Sequence, residues 1–323
     1  MTRYGMSLTR RSILAAAAGT ALRPCRSSAQ EPDEAAPKQP TRLSIGFSLY
    51  GMKDFKLGDA LEACGRNGYD DVELALMEGW PGQPSQLNRG ERAQLRSQMH
   101  DIGLRVPALM ENLDLDVDDV EHAANLEKLR QASYLGRDLQ PDEPPLVETV
   151  LGGKRGEWEE RRERMAERLK DWARLAVSER MTIALKAHVS GAVHLPEQAV
   201  WLVKKAGTRR VRLVYDYSHF QLQGLTLEGS LKTMAPYTAF VHVKDAAGDA
   251  DHPRFLLPGQ GGVDYEKLAR LLLAEGYGGS VTVEVSSQIH RRDDYHPLGA
   301  AIDSYDLLEA AFESAGVRPT FEF

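Results

Sequence analysis

Eight short apolar runs alternate with amphipathic helical patterns from residue 43 onward, and this alternation constrains the fold most strongly. Segments such as "VEHAANLEKLRQASYLG" and "DYEKLARLLLAEGYG" separate the runs, and several end in a glycine that is typical of a helix C terminus. The pattern predicts an α/β fold, a (β/α)8 TIM barrel over residues 43–316 with a C-terminal tail at 317–323. The strand-like runs span residues 43–50, 71–76, 105–113, 145–152, 182–189, 211–219, 239–246 and 280–286.

An open, doubly wound sheet is the other fold that such alternation allows. Dinucleotide-binding sheets of that kind carry a G-x-G-x-x-G turn after a strand, and the sequence contains no such turn. The Gly-rich "LGGKRGEW" lacks the Lys-Ser/Thr pair of a phosphate loop and is interpreted as a plain loop. The barrel is therefore the favoured prediction.

The N-terminal segment has the composition of an export signal. Arginines without acids precede an apolar run at Ile13–Leu22, and small residues follow it. The pair Arg10 and Arg11 resembles a twin-arginine signal, and the apolar run is too short for a stable membrane anchor. We therefore expect cleavage after a signal at residues 1–29, a flexible leader at 30–42, and a periplasmic location.

The charge balance bears on the partners of the chain. Residues 1–29 contain five arginines and no acids, so their removal changes the formal net charge from −7 to −12. An acidic chain disfavours nucleic acid and anionic membrane as partners. Cys64 is then the sole remaining cysteine, which excludes an intramolecular disulfide.

Polar residues lie at the C-terminal ends of the apolar runs, which is where TIM barrels place their active sites. The last four runs each bring a charged or imidazole group to the same level, and burying such groups without a partner is unfavourable. A common site is therefore expected at this end of the barrel. The residues concerned are Glu111, Asn112, Glu148, Lys186, His188, Asp216, His219, His242, Lys244, Asp245 and Glu284.

Three of these residues form a candidate metal centre. Asp216, His242 and Glu284 supply two carboxylates and one imidazole from three successive strands. This donor set suits Mn²⁺, Mg²⁺, Co²⁺ or Zn²⁺ with positions left open for substrate oxygens. Such an ion would polarise a carbonyl and stabilise an enediolate. His219, three residues after Asp216, is placed to hydrogen-bond a substrate hydroxyl or a ligand carboxylate.

Four sequence pieces resemble the xylose isomerase-like barrel superfamily, often described as sugar phosphate isomerases/epimerases. They are "GYDDVEL", "VYDYSHF", "FVHVKDA" and "LPGQGGVDYEKLARLLLAEGYGGSVTVEVS", and the resemblance covers about residues 43–316. It implies metal ligation by Asp216, His242 and Glu284. It also implies substrate contacts by His219 and by Arg254.

The resemblance breaks at "TIALKAHV". The superfamily pattern implies a glutamate there, as a fourth ligand and as the acid/base partner of Glu284, whereas this chain has Lys186 with His188 two residues later. Three interpretations stay open. The Lys186 ammonium replaces the ion, or it acts as an acid/base beside a three-ligand metal helped by His188 or Glu148. In the third, catalysis is lost and Lys186 pairs with Asp216 or Glu284.

The predicted function is an exported isomerase, epimerase or lyase that abstracts a proton next to the carbonyl of an unphosphorylated or keto sugar, with divalent-metal assistance. The alternative is a non-catalytic carbohydrate-binding barrel, and a nuclease IV-like phosphodiesterase is disfavoured by the acidic charge. A homo-oligomer stays open. The candidate catalytic residues are Glu284, Lys186 and His188, and the candidate substrate contacts are His219, Arg254, Glu111 and Lys244.

Overall fold

Eight parallel strands close into a barrel in the computed structural model, which describes residues 40–318. The predicted export signal, most of the leader and residues 319–323 lie outside that range. The barrel strands are β1 (Ser44–Ser48), β2 (Asp71–Ala75), β3 (Arg105–Asn112), β4 (Leu146–Val150), β5 (Ile183–Lys186), β6 (Val211–Asp216), β7 (Thr238–Val243) and β10 (Ser280–Val283), and a separate hairpin contains β8 (Asp245–Ala247) and β9 (Arg254–Leu256).

Neighbouring barrel strands follow the order of the chain, and β1 pairs with β10 to close the sheet. Helices cover the outside of the strands. They are α1 (Leu57–Arg66), α2 (Arg89–Ile102), α3 (Asp119–Leu139), α4 (Trp158–Ser178), α5 (Pro196–Ala206), α6 (Tyr217–Gln221), α7 (Leu227–Met234), α8 (Tyr265–Ala274), α9 (Ser287–His290) and α10 (Pro297–Ser314). The predicted (β/α)8 fold is confirmed.

Local sequence signals explain where several helices begin and end. Asn88 forms a capping box with Glu91 at the start of α2, and Gly103 ends that helix at a φ of 75°. The Asp118 carboxylate accepts hydrogen bonds from the first amides of α3. None of the helices within residues 40–318 is long and apolar enough to cross a membrane.

The two-residue repeat of the strands places polar groups directly above an apolar floor. Ala108, Ala184, Val214 and Phe240 form a small buried cluster from four strands. Two residues further along a strand, the side chain points into the same interior, one layer closer to the C-terminal end. The pairs related in this way include Leu146 and Glu148, Ala184 and Lys186, Val214 and Asp216, and Phe240 and His242.

All eight barrel strands are shorter than the predicted runs, and the structure shows the reason in two of them. The run at 211–219 ends as a strand at Asp216, because the Asp216 carboxylate accepts from Ser218 N and begins α6. The run at 239–246 is interrupted after Val243, and Asp245 opens the β8–β9 hairpin instead. Both changes turn the chain sharply at the mouth of the barrel, where the polar side chains meet.

A glycine in β1 provides a test of the tight barrel interior. A Cβ atom on Gly46 would lie 2.5 Å from Thr282 Oγ1 and 2.8 Å from Ser280 Oγ. We expect Gly46→Ala to lower the free energy of unfolding by about 1–3 kcal/mol in urea titrations. Gly299→Ala in α10 is the matched control, since its Cβ would meet only His296 Cβ at 3.7 Å. Equal stability of the two variants would contradict the expectation.

Candidate active site

Two lysines and two carboxylates form an ion cluster at the C-terminal mouth of the barrel. Lys186 Nζ lies 2.5 Å from Glu284 Oε2 and 3.4 Å from Asp216 Oδ2. Lys244 Nζ contacts the same two oxygens, with 2.5 Å to Glu284 Oε2. The two lysines and Asp216 are at most 2% exposed, and Glu284 is 13% exposed. Two positive and two negative charges therefore balance in nearly dry surroundings.

Electrostatics favour the charged forms of Asp216, Glu284 and Lys186. Burial by itself would raise the pKa of Asp216, but Lys244 and Lys186 hold it well below the ordinary carboxyl value. The same competition leaves the pKa of Glu284 well below its ordinary value, with Lys186 as the strongest opposing charge. Burial disfavours the charged form of Lys186, yet Glu284 and Asp216 overcome it and raise the pKa.

His242 links the ion cluster to a buried glutamate on the opposite side of the barrel. Lys186 Nζ lies 2.7 Å from His242 Nδ1, and His242 Nε2 lies 3.0 Å from Glu73 Oε2. An ammonium group can only donate, so His242 Nδ1 accepts and Nε2 carries the proton that is donated to Glu73. The sequence analysis did not identify Glu73 as a candidate, because this residue lies within β2 and not at its end. A glutamate inside the apolar run "DVELA" was the signal that could have identified it.

A second buried carboxyl group, Glu148, lies next to this chain of contacts. Burial raises the pKa of Glu148 well above its ordinary value, and the Glu73 carboxylate adds to the shift. Its Oε2 atom has no hydrogen-bond partner among the described residues. Burial therefore favours the neutral, protonated form of Glu148, and this side chain lines the cavity above the cluster.

Two neutral imidazoles stand beside the ion cluster. His188 Nδ1 accepts from Ser190 N at 3.2 Å and His219 Nδ1 accepts from Val189 N at 3.4 Å, so the proton of each neutral ring is on Nε2. Burial lowers the pKa of His219 to about 4 and that of His188 well below its ordinary value. The Nε2 atom of His219 lies 3.4 Å from Asp216 Oδ2.

A cavity of about 240 Å³ opens above these groups. This volume is below the roughly 300–1,000 Å³ of pockets for drug-sized ligands, so the cavity suits a small polar ligand. Seven of the sequence-predicted residues line it: Asn112, Glu148, Lys186, His188, His219, Lys244 and Glu284.

Loop residues complete the cavity wall. Tyr50 lines the cavity and stacks on Trp80 with ring centroids 5.3 Å apart. Phe255 lines it on the other side, 5.1 Å from the His219 ring. The sequence analysis did not identify Phe255, although this residue directly follows the candidate Arg254. Two aromatic side chains, Tyr50 and Phe255, therefore line the cavity together with its polar residues.

Two predicted substrate contacts lie away from the cavity lining. Arg254 is exposed at the start of β9, and its neighbour Phe255 faces the cavity instead. Glu111 is buried on β3, where its Oε1 atom accepts from Asn112 N. The predicted residues at the C-terminal ends of β5, β6, β7 and β10 thus lie close together, whereas Arg254 and Glu111 do not line the cavity.

The three predicted metal ligands converge, but their facing atoms are engaged by ammonium groups. Asp216, His242 and Glu284 each offer a ligand atom, and these atoms lie within 4.8 Å of one another. All three are in contact with Lys186 Nζ, and Lys244 Nζ shares the two carboxylates. A dication at this point would face two adjacent positive charges at low dielectric. With both ammonium groups in place, these three residues therefore do not fit a divalent metal. Glu73, Glu148 and His242 form a second group whose ligand atoms lie within 4.8 Å of one another.

The chain is similar to known proteins over most of its length. The family described as xylose isomerase-like TIM barrel matches residues 61–310. Inosose isomerase from Bacillus velezensis is 26% identical over 257 residues, which cover 77% of this chain and 88% of that protein.

Solved structures of similar proteins share the barrel. An L-ribulose 3-epimerase superposes with a TM-score of 0.67 at 20% identity, covering 84% of this chain and 95% of the other. The IOLI protein, solved with a bound zinc atom, superposes with a TM-score of 0.69 at 20% identity, covering 85% of this chain and 98% of the other. At this level of identity the likenesses show the shared fold alone.

Removing one cation tests the charge balance of the cluster. We expect Lys244→Met to lower the free energy of unfolding at pH 7 by about 3–5 kcal/mol, because two buried carboxylates then share one ammonium. The depressed pKa values of Asp216 and Glu284 stabilise the fold above the ordinary carboxyl pKa of about 4, and this contribution is lost as the pH falls towards the folded values.

The difference between wild type and Lys244→Met should therefore narrow below about pH 4. Urea unfolding at pH 7 and at pH 3 measures it. Lys232→Met, at an exposed position on α7, is the control and should match wild type at both pH values. A difference that stays constant with pH would show that the cluster is not the cause.

Proposed function

Because the chain belongs to the xylose isomerase-like TIM barrel family, we propose that it is a sugar isomerase, epimerase or lyase that removes a proton next to a carbonyl group. The similarity to inosose isomerase and to L-ribulose 3-epimerase supports this class of reaction and a carbohydrate substrate. The observation that carries the proposal is the carboxylate of Glu284, held between two ammonium groups in the cavity wall.

Glu284 is the proposed base. Its Oε2 atom accepts from Lys186 and Lys244, whereas no hydrogen bond to Oε1 is found within residues 40–318. Oε1 is therefore the oxygen left for a substrate proton. A carboxylate with a depressed pKa is a weak base, so the reaction depends on stabilising the product of proton removal.

Lys186 and Lys244 supply that stabilisation. Removal of a proton next to a carbonyl moves negative charge onto the carbonyl oxygen and gives an enolate or enediolate. The two ammonium groups are fixed in the cavity wall before the substrate arrives, and little water competes with them. The sequence also predicted assistance by a divalent ion, but the cluster does not fit one, so these steps use side chains alone.

Two neutral acids are available to return the proton. Glu148 carries a carboxyl proton and His188 carries a proton on Nε2, and both line the cavity. An ionised base beside neutral acids is the arrangement that acid/base catalysis requires. Delivery to carbon would complete an isomerisation or epimerisation, and delivery to a departing hydroxyl group would complete an elimination.

The charge of the cluster supports an unphosphorylated substrate. Each lysine is matched by a carboxylate, so the cavity floor has no excess positive charge to attract a phosphate group. A free or keto sugar also agrees with the proposed export of the chain. Tyr50 and Phe255 supply apolar surface against which a sugar ring can pack.

A non-catalytic carbohydrate-binding barrel is the second candidate. The observation that favours it is the closed pairing of Lys186 with both Asp216 and Glu284, since such pairing also suits a purely structural role. The two functions differ in one measurable respect. A binding protein would hold sugars without exchanging their carbon-bound protons with solvent.

Substitution of the proposed base separates the two candidates. In D2O the wild type should incorporate deuterium next to the carbonyl of a keto sugar, tested with inososes and L-ribulose. Glu284→Gln should slow this exchange by about 100-fold or more while the protein stays folded. Glu275→Gln, at an exposed position after α8, is the control. Unchanged exchange in folded Glu284→Gln would remove Glu284 from the role of base.

We also propose that residues 1–29 direct export through the twin-arginine pathway. Replacing both Arg10 and Arg11 by lysine should leave the unprocessed chain in the cytoplasm of a bacterial host with that pathway. Cell fractionation and the mass of the N terminus measure the outcome. Arg23→Lys is the control, and equal periplasmic yield from the double variant would contradict the proposal.

A further inference from the structure

We propose that the ammonium group of Lys186 takes the place of a divalent cation in this barrel, so that the site works without a bound metal. The role of Lys186 in the reaction rests on the proposed function. Its occupation of the cation position rests on the contacts of the side chain and is tested separately.

Lys186 Nζ lies at the point where the three predicted ligands meet. It is 2.5 Å from Glu284 Oε2, 2.7 Å from His242 Nδ1 and 3.4 Å from Asp216 Oδ2. An ammonium nitrogen carries three protons. Here it donates to Glu284 Oε2 and to His242 Nδ1, and the Asp216 carboxylate lies within ion-pair distance. The nitrogen therefore lies within contact distance of all three predicted ligand atoms, as a metal ion held by them would.

The orientation of His242 fits an ammonium partner. Glu73 fixes the proton of His242 on Nε2, which turns the lone pair of Nδ1 towards Lys186 Nζ. This is the tautomer that a metal would also require, so the imidazole is set up to meet a cation. Lys186 supplies that cation from the end of β5.

Charge balance argues against an additional ion. Lys186 and Lys244 already match Asp216 and Glu284 one for one. A dication inserted among them would leave excess positive charge in a site whose members, Glu284 apart, are at most 2% exposed. Moving Lys186 Nζ away from this point while its side chain stays inside the barrel would in turn leave a buried ammonium without its partners.

Replacement of a divalent cation by an ammonium group has a chemical consequence. A divalent ion accepts the electron pair of a substrate oxygen directly, whereas an ammonium group stabilises the oxyanion by charge and by hydrogen bonding. Lys186 cannot be removed by a chelator. Turnover in this barrel should therefore be independent of added metals.

Zinc titration of the full chain tests the occupation of the cation position. Wild type should bind no stoichiometric Zn²⁺ by calorimetry and by elemental analysis. Lys186→Glu removes the central cation and places a carboxylate beside Asp216, His242 and Glu284. This variant should bind one equivalent of Zn²⁺ at least about 100-fold more tightly than wild type. Zinc should also raise its melting temperature.

Two further variants control the experiment. Lys232→Glu makes the same change of charge at an exposed position on α7 and should gain no zinc affinity. Lys186→Gln removes the cation without adding a ligand, so it should stay metal-free and lose turnover by about 100-fold or more.

The inference is overturned if wild type binds stoichiometric zinc and the Asp216→Asn variant does not. A folded Lys186→Glu variant with no gain in affinity would overturn it as well. If that variant does not fold, the wild-type titration and Lys186→Gln still decide the question. If wild type turned over none of the sugars tested, the proposed function would be refuted. The zinc titrations do not depend on turnover and would still test whether Lys186 occupies the cation position.

Discussion

Closure of the barrel is the constraint on which the other features depend. Residues Ser44–Phe47 of β1 pair in register with Ser280–Val283 of β10, which joins the first and last strands of the sheet. Closure removes the sheet edges and makes the C-terminal ends of all eight strands converge on one axis. Side chains from strands that are far apart in sequence then meet in a single layer.

The apolar layer beneath the site gives the polar layer its character. The ring centroids of Phe240 and His242 are 5.1 Å apart. Val214, two residues before Asp216 on β6, points into the barrel interior one layer below it. Water is largely excluded from this level, so each charge needs a partner of opposite sign. The pairing of Lys186 and Lys244 with two carboxylates is the solution that this chain contains.

The family relationship and the local chemistry bear on different questions. Membership of the xylose isomerase-like TIM barrel family accounts for the architecture and for the meeting of Asp216, His242 and Glu284. It does not determine what lies between them, because that depends on the side chain at the end of β5. In this chain the side chain is Lys186, and the ion cluster around it favours chemistry driven by fixed charges.

The sequence by itself determined the eight-stranded barrel and the level of Asp216, His242 and Glu284, because strand periodicity and chain order are local and parallel strands all point one way. It also marked Lys186 as an exception. Only the tertiary structure decided that Lys186 and Lys244 meet on the same carboxylate oxygens, and that a mid-strand glutamate of β2 orients His242 across 169 residues of chain. Such contacts depend on the stagger and curvature of the closed sheet, which local patterns do not encode.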